Sequence, residues 1–138
     1  VRIFPDTIVL LAACVSSEGA SSEIFRIASL HGWTFITTPY VLDEVNRHLP
    51  DLPAPAWVSW MSIRAALIAK SDVLTLSIPT FFSISKDRPV LYGAFAWADV
   101  LLTLDQADFG ILMNGPFYGL RIVRPGVFLE EERRSGRL

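Results

Sequence analysis

Four acids stand where aliphatic stretches of the sequence meet polar residues: Asp6 after "VRIF", Glu44 within "LDEVNRH", Asp87 in "SKDRPV" and Asp105 closing "DVLLTL". A fifth, Asp108, follows Asp105 by three positions. Carboxylates gathered at one point repel one another, and the ordinary remedy is a divalent cation with hard oxygen ligands. Carboxylate-only ligation suits Mg²⁺ or Mn²⁺, whereas zinc sites lean on His and Cys. Such a cation binds a non-bridging phosphate oxygen and lowers the pKa of water, so hydrolysis of a phosphodiester is within reach of this set. Each acid taken singly has a plainer role. Asp6 and Asp87 suit helix N-caps, Glu44 a solvated helix face, and Asp105 and Asp108 turns. The metal expectation rests on their convergence.

Alternating strands and helices have to produce that convergence. "VRIF" reads as a first strand ended by "PDT", and "TIVLLAACV" as a buried helical turn or two after Asp6. "SSEIFRIASLHG" predicts a helix capped by Ser22, with Glu23 in its first turn, Ile24, Ile27 and Ala28 on one face, and Gly32 as its stop. "WTFIT" follows as a strand, then "TPYVLDEVNRHL" as a helix with Thr38 at the cap and Pro39 at the first helical position. Beyond the Pro-rich "PDLPAPA", "WVSWMSIRAALIAK" predicts another helix and "DVLTLSI" a strand ended by Pro79. "KDRPVLYGAFAWA" is helical from Arg88, "DVLLTL" is a strand, and "LRIV" is a last strand before "RPGVFLEEERR". This alternation predicts an α/β fold of three layers, with helices on both faces of a mainly parallel central sheet. Ligands of such sheets sit beyond the carboxyl ends of the strands. Asp6 and Asp105 directly follow strands, Asp87 opens a helix after the third strand and its loop, and Glu44 lies one and a half turns into the helix after the second strand. All four can therefore face one edge.

Composition limits the alternatives. With 138 residues, 51% of them hydrophobic and 19% charged, the chain predicts a single domain over residues 1–138 with a substantial core. Its apolar runs fall short of the roughly 20 residues a bilayer requires, and no signal-peptide pattern is visible, so a cytoplasmic location is expected. Cys14 is the one cysteine, which excludes an intramolecular disulfide and fits a small buried hydrophobe in a reducing compartment. The net charge of −2 argues against a non-specific polyanion binder, yet committing four carboxylates to a cation leaves +2 on the rest of the chain. No GxGxxG or GxxxxGK[ST] cradle and no Ser nucleophile elbow occurs, and "DTIVL" lacks the second Asp of a haloacid-dehalogenase-like phosphatase.

Three stretches together, "FPDTIVLLAA", "TPYVLDEV" and "SKDRPVLYGAFAWADVLLTLDQADF", resemble the PIN-domain ribonucleases, and most of all the PilT N-terminus-like, VapC-type toxins of toxin–antitoxin pairs. The similarity runs over nearly the whole chain, including the ending "LRIVRPGVFLEE", and its most specific part is Lys86-Asp87-x-Pro89-Val90, Ala98-Asp99 and Thr103-x-Asp105 with Phe109. The resemblance implies a PIN-like fold and a metal-dependent endoribonuclease whose four acids are Asp6, Glu44, Asp87 and Asp105, holding one or two Mg²⁺ or Mn²⁺ ions. It also implies support from Thr103, Asp99 and Asp108, and cleavage that leaves a 5′-phosphate and a 3′-hydroxyl. Ile8, Leu104 and Asp108 depart from the usual family pattern, where Asn or Ser, Gly, and His or another polar residue are common. The alternative from another class is an inactive PIN-like module that binds RNA or protein.

Substrate grip falls to nearby cations. Lys86 and Arg88 flank Asp87, and Arg47 and His48 follow Glu44 by about one turn, so they are candidates for phosphate contacts. Tyr40, Tyr92 and Trp97 can stack on unpaired bases, although Trp97 lies on the apolar "AFAWA" face and suits a core. His31, at a helix end before Gly32, suits the helix dipole rather than catalysis. "WVSWMSIRAALIAK" carries more large hydrophobes than one helix face needs, which fits an interface or a buried helix. The resemblance adds a cognate antitoxin and a homodimer as expected partners.

Overall fold

The computed structural model describes residues 1–76 and 87–138. Five strands, β1 (Arg2–Pro5), β2 (Thr34–Thr37), β3 (Leu67–Ala69), β4 (Val100–Leu102) and β5 (Arg121–Val123), form one sheet in the order β3-β2-β1-β4-β5. Every pairing is parallel, with Ile3 opposite both Phe35 and Val100. Parallel neighbours need crossovers, and the helices that supply them cover both faces of the sheet.

Burial shows the covering directly. Successive strand residues point to opposite faces, yet Ile3 and Phe4, Phe35 and Ile36, and Val100, Leu101 and Leu102 are all buried. Ile3 and Phe35 are register partners and share a face, where Phe25 of α2 (Ala20–His31) meets Phe35 with ring centroids 4.2 Å apart. Trp33, on the same parity, packs edge-on against Phe128 of α7 (Pro125–Arg134). On the other face Phe4 lies against Gly93 of α5 (Arg88–Trp97), which packs on β1, β2 and β4. The result is the three-layer α/β/α architecture expected from the sequence.

Gly93 permits the close approach of α5. A Cβ there would stand 3.2 Å from Thr38 Cγ2 and 3.4 Å from Phe4 Cε2. Alanine would ask those neighbours to give by a few tenths of an ångström. Gly93→Val adds two further methyl groups against the same wall and is expected to lower stability by about 1–3 kcal/mol, the usual cost of overpacking. Urea unfolding of the two proteins measures this directly.

Helix α1 (Thr7–Val15) follows β1 at once, and α3 (Pro39–His48) starts with Thr38 at the cap and Pro39 in its first turn, as expected. Gly32 ends α2 in the left-handed conformation, φ 67°, which glycine adopts without strain. Three expectations are corrected. Ser22 does not cap α2: Gly19 occupies the cap, and the Ser22 hydroxyl instead donates to the Ala13 carbonyl at 2.8 Å and to the Ser16 carbonyl, joining α2 to α1. The helix expected through Lys70 is α4 (Ala54–Ala66), and the third strand is Leu67–Ala69. It is fixed by pairing with Phe35, Ile36 and Thr37, and by the Lys70 amide donating to the Thr37 carbonyl at 2.8 Å. Of the strand expected in "DVLTLSI", residues 72–76 are irregular, and the rest lies outside the described residues, as do Pro79 and Lys86. "RPGVFLEEERR", left unassigned by the sequence pattern, is α7.

Among the described residues no single helix is long and apolar enough to cross a membrane. Cys14 is buried, and burial pushes its thiol up to about 11, which leaves it an inert core residue.

Candidate metal centre

From β1 the sheet grows one way to β2 and β3 and the other way to β4 and β5. The crevice at the carboxyl ends of β1 and β4 is thus the switch point at which ligands of parallel sheets bind. Asp6 follows β1, and its amide donates to the Leu102 carbonyl of β4 at 2.9 Å. Thr103 and Asp105 follow β4, bringing both strand ends to the same crevice.

The acids whose oxygens converge there, among the described residues, are Asp87, Asp105 and Asp108, with one oxygen from each lying within 4.8 Å of the others. Local structure explains this triad. Asp105 caps the short helix α6 (Gln106–Phe109), its Oδ1 accepting from the Asp108 amide at 3.0 Å. One turn of helix carries Asp108 back beside Asp105, since residues three apart share a face. Phe109, 1% exposed, pins that turn to the core. Asp87 stands at the cap position of α5, but its carboxylate makes no capping bond to that helix. All three are half-buried, so their mutual repulsion is less screened than on an open surface.

Asp6 and Glu44 do not join this close triad, and each is held by a threonine. The Asp6 carboxylate accepts from the Thr103 hydroxyl and, at 3.1 Å, from the Val9 amide as the cap of α1. Burial pushes Asp6 up to about 6 against those hydrogen bonds, and the nearby Asp105 charge adds to the rise. Thr103 also accepts from the Asp105 amide at 3.1 Å, so one hydroxyl ties the acid after β1 to the acid after β4. Glu44 accepts from Thr7 at 2.9 Å, a link that the sequence pattern did not reveal.

Of the three supporting residues, Thr103 therefore lies between Asp6 and Asp105, while Asp108 is a full member of the triad. Asp99 belongs elsewhere. It precedes β4, at the amino end of the sheet, and pairs with Arg2 at 3.0 Å while accepting from the Arg2 amide at 2.9 Å. That arginine holds the Asp99 carboxyl below its ordinary range. Asp99→Asn is accordingly expected to leave any metal-dependent turnover within about twofold of wild type, as for other surface changes remote from a site. Initial-rate measurements would check this.

Arg47 and His48 are exposed in the last turn of α3, and Arg88 is exposed in the first turn of α5 beside Asp87. Tyr92 is 6% exposed and belongs to the core, not to a stacking surface. Trp97 sits at the far end of α5, about 15 Å along the helix axis from Asp87 at 1.5 Å per residue. Its indole N–H donates to the Ser71 carbonyl at 2.9 Å, and Lys70 lies over its ring. Tyr40 is half-buried, its amide donating to Asp72 at 3.3 Å. His31 stacks on Trp33 at the opposite end of the sheet.

The donor set fits a divalent cation: hard carboxylate oxygens, half-buried and clustered, with ligand distances of roughly 2.0–2.6 Å available after at most a small inward shift. His and Cys are absent from the cluster, which disfavours zinc. Neither protein-family models nor curated proteins give a match to this chain.

Proposed function

We propose that the chain is a metal-dependent endoribonuclease hydrolysing RNA phosphodiester bonds, using Mg²⁺ or Mn²⁺. The single observation that carries this reading is the convergence of Asp87, Asp105 and Asp108 at the carboxyl edge, at the switch point between β1 and β4. The resemblance of the surrounding sequence to PIN-domain ribonucleases supplies the substrate class. When bound, a divalent cation supplies a Lewis acid at the phosphodiester and lowers the pKa of water there. The protein's part is to hold the ligands. Asp87, Asp105 and Asp108 would ligate, Thr103 fixes Asp105 against Asp6, and Thr7 orients Glu44 toward the same edge. Arg47, Arg88 and Lys86 are the cations proposed to meet the RNA backbone.

The same resemblance leads us to propose that the protein is the toxin of a toxin–antitoxin pair, acting in the cytoplasm as a homodimer that a cognate antitoxin covers.

Incubating the protein with a panel of structured and single-stranded RNAs in Mg²⁺, Mn²⁺ and EDTA tests the activity. Metal-dependent fragments bearing 3′-hydroxyl ends are expected. Absence of cleavage in every condition, with no rise in melting temperature on adding metal, would favour the inactive binding module.

A further inference from the structure

One row of residues at the carboxyl edge of the sheet holds a polar group that the triad does not use. Counting on from the register pairs Ile3–Phe35 and Pro5–Leu102, Asp6 stands level with Thr38 on one side and with Thr103 on the other. Residues two apart along a strand share a face, so Asp6 lies on the face of Phe4, under α5. Thr38 belongs to the same face, because its methyl group and the Phe4 ring are what an added Cβ at Gly93 would meet. The two threonines that flank Asp6 differ in one respect. Thr103 donates to the Asp6 carboxylate, whereas the Thr38 hydroxyl, on a residue 0% exposed, has no hydrogen-bond partner among the described residues. Thr37 carries a second such hydroxyl, but the residue before Thr38 points to the opposite face.

Local structure explains why the Thr38 hydroxyl is left over. A threonine at a helix cap ordinarily accepts from the amide two or three residues on. Thr38 caps α3, yet its side chain makes no such bond. Pro39 has no N–H, and the Tyr40 amide donates instead to Asp72, at 3.3 Å, from the chain that follows β3. A buried hydroxyl is ordinarily satisfied by protein or by ordered water. Neighbouring strands lie about 4.8 Å apart, and two hydrogen bonds of about 2.8 Å through one water bridge such a gap.

We propose that one buried water joins the Thr38 hydroxyl to the Asp6 carboxylate and makes Thr38 a positioning residue for the metal centre, a role that rests on the metal-dependent reading above. Buried waters commonly make about three hydrogen bonds, and the Val41 amide, in the uncapped first turn of α3, is the third group for this one. Asp6 is then held from both sides of its row, by Thr103 directly and by Thr38 through water. Partners one step removed from a metal centre of this kind change its affinity by about 10–100-fold. Full burial excludes a direct contact between Thr38 and RNA.

The test begins with a high-resolution crystal structure of the full chain in EDTA, in which a water within hydrogen-bond distance of both Thr38 Oγ1 and an Asp6 oxygen is expected. A Thr38 hydroxyl bonded to protein alone, or to nothing, would overturn the site. Thr38→Val keeps the shape of the side chain, including the methyl against Gly93, and removes the hydroxyl; Thr38→Ser keeps the hydroxyl. Calorimetric titration is expected to show Mn²⁺ binding weakened about tenfold in Thr38→Val and close to wild type in Thr38→Ser. Urea unfolding in EDTA gives a readout independent of metal. Replacing a truly unbonded buried hydroxyl by a methyl group raises stability, so a clear gain in Thr38→Val would overturn the water, and no gain is expected. A water present with Mn²⁺ affinity unchanged in Thr38→Val would overturn the positioning role. Wild type that binds no Mn²⁺ would count against the metal centre itself and leave the crystallographic water standing.

Discussion

Replacing Asp87, Asp105 or Asp108 by Asn is expected to lower metal-dependent RNA cleavage by at least about 100-fold, the upper end of what losing even an outer partner of a metal ligand costs. Asparagine keeps the size of the side chain and removes the anionic oxygen, so the loss reports ligation more than packing. Asp108 is the informative member. Its sequence position suits a turn residue, and in a turn role alone Asp108→Asn would leave the rate nearly unchanged. The geometry puts one of its oxygens within 4.8 Å of those of Asp87 and Asp105, which predicts a defect as deep as theirs. Single-turnover rates at saturating RNA in Mn²⁺ separate the two outcomes.

A second large effect is expected in the pH dependence of stability without metal. Asp6 titrates at about 6 when folded against an ordinary 3.8, mainly because burial disfavours its charged form. Between those values the folded protein binds more protons than the unfolded chain, so this residue's contribution is full below about pH 4 and is lost as the pH rises through about 6. The difference amounts to as much as about 3 kcal/mol at 1.36 kcal/mol for each unit of pKa. Asp6→Asn lacks the ionisation, and asparagine is a good cap for α1. Chemical unfolding in EDTA at pH 4 and pH 7 should therefore show wild type losing up to that much more stability than the variant. Parallel pH profiles would mean that Asp6 is no harder to ionise than an exposed aspartate.

These effects depend on geometry that was only partly legible in the residues. Strands β1, β2, β4 and β5 were readable because a sheet buried on both faces needs uninterrupted aliphatic runs, which "VRIF", "WTFIT", "DVLLTL" and "LRIV" supply. Strand β3 was not. "RAALIAK" is built from helix formers, and Leu67–Ala69 is extended because the open edge of β2 offers it hydrogen bonds, a tertiary effect.

Site residues divide in the same way. Asp6 and Asp105 were legible as residues that follow strands. The position of Asp99 was also implicit, since a residue preceding a parallel strand lies at the opposite edge from one following it. At about 3.3 Å per residue, even the short β4 keeps it far from Asp105. Asp108 carried a usable signal in its spacing of three from Asp105, but joining Asp87 to that pair required the packing of α5 across the sheet. Nothing in the spacing of Thr7 and Glu44, 37 positions apart, marked them as a hydrogen-bonded pair.

Calorimetric titration of Mn²⁺ into the metal-free protein at neutral pH tests the central claim most directly, because it asks whether these carboxylates hold a cation before any substrate is chosen. Saturable binding is expected in wild type, with loss or severe weakening in Asp87→Asn, Asp105→Asn and Asp108→Asn. Undiminished binding in all three variants, or no binding to the folded wild-type protein, would contradict the assignment of the triad as a metal centre.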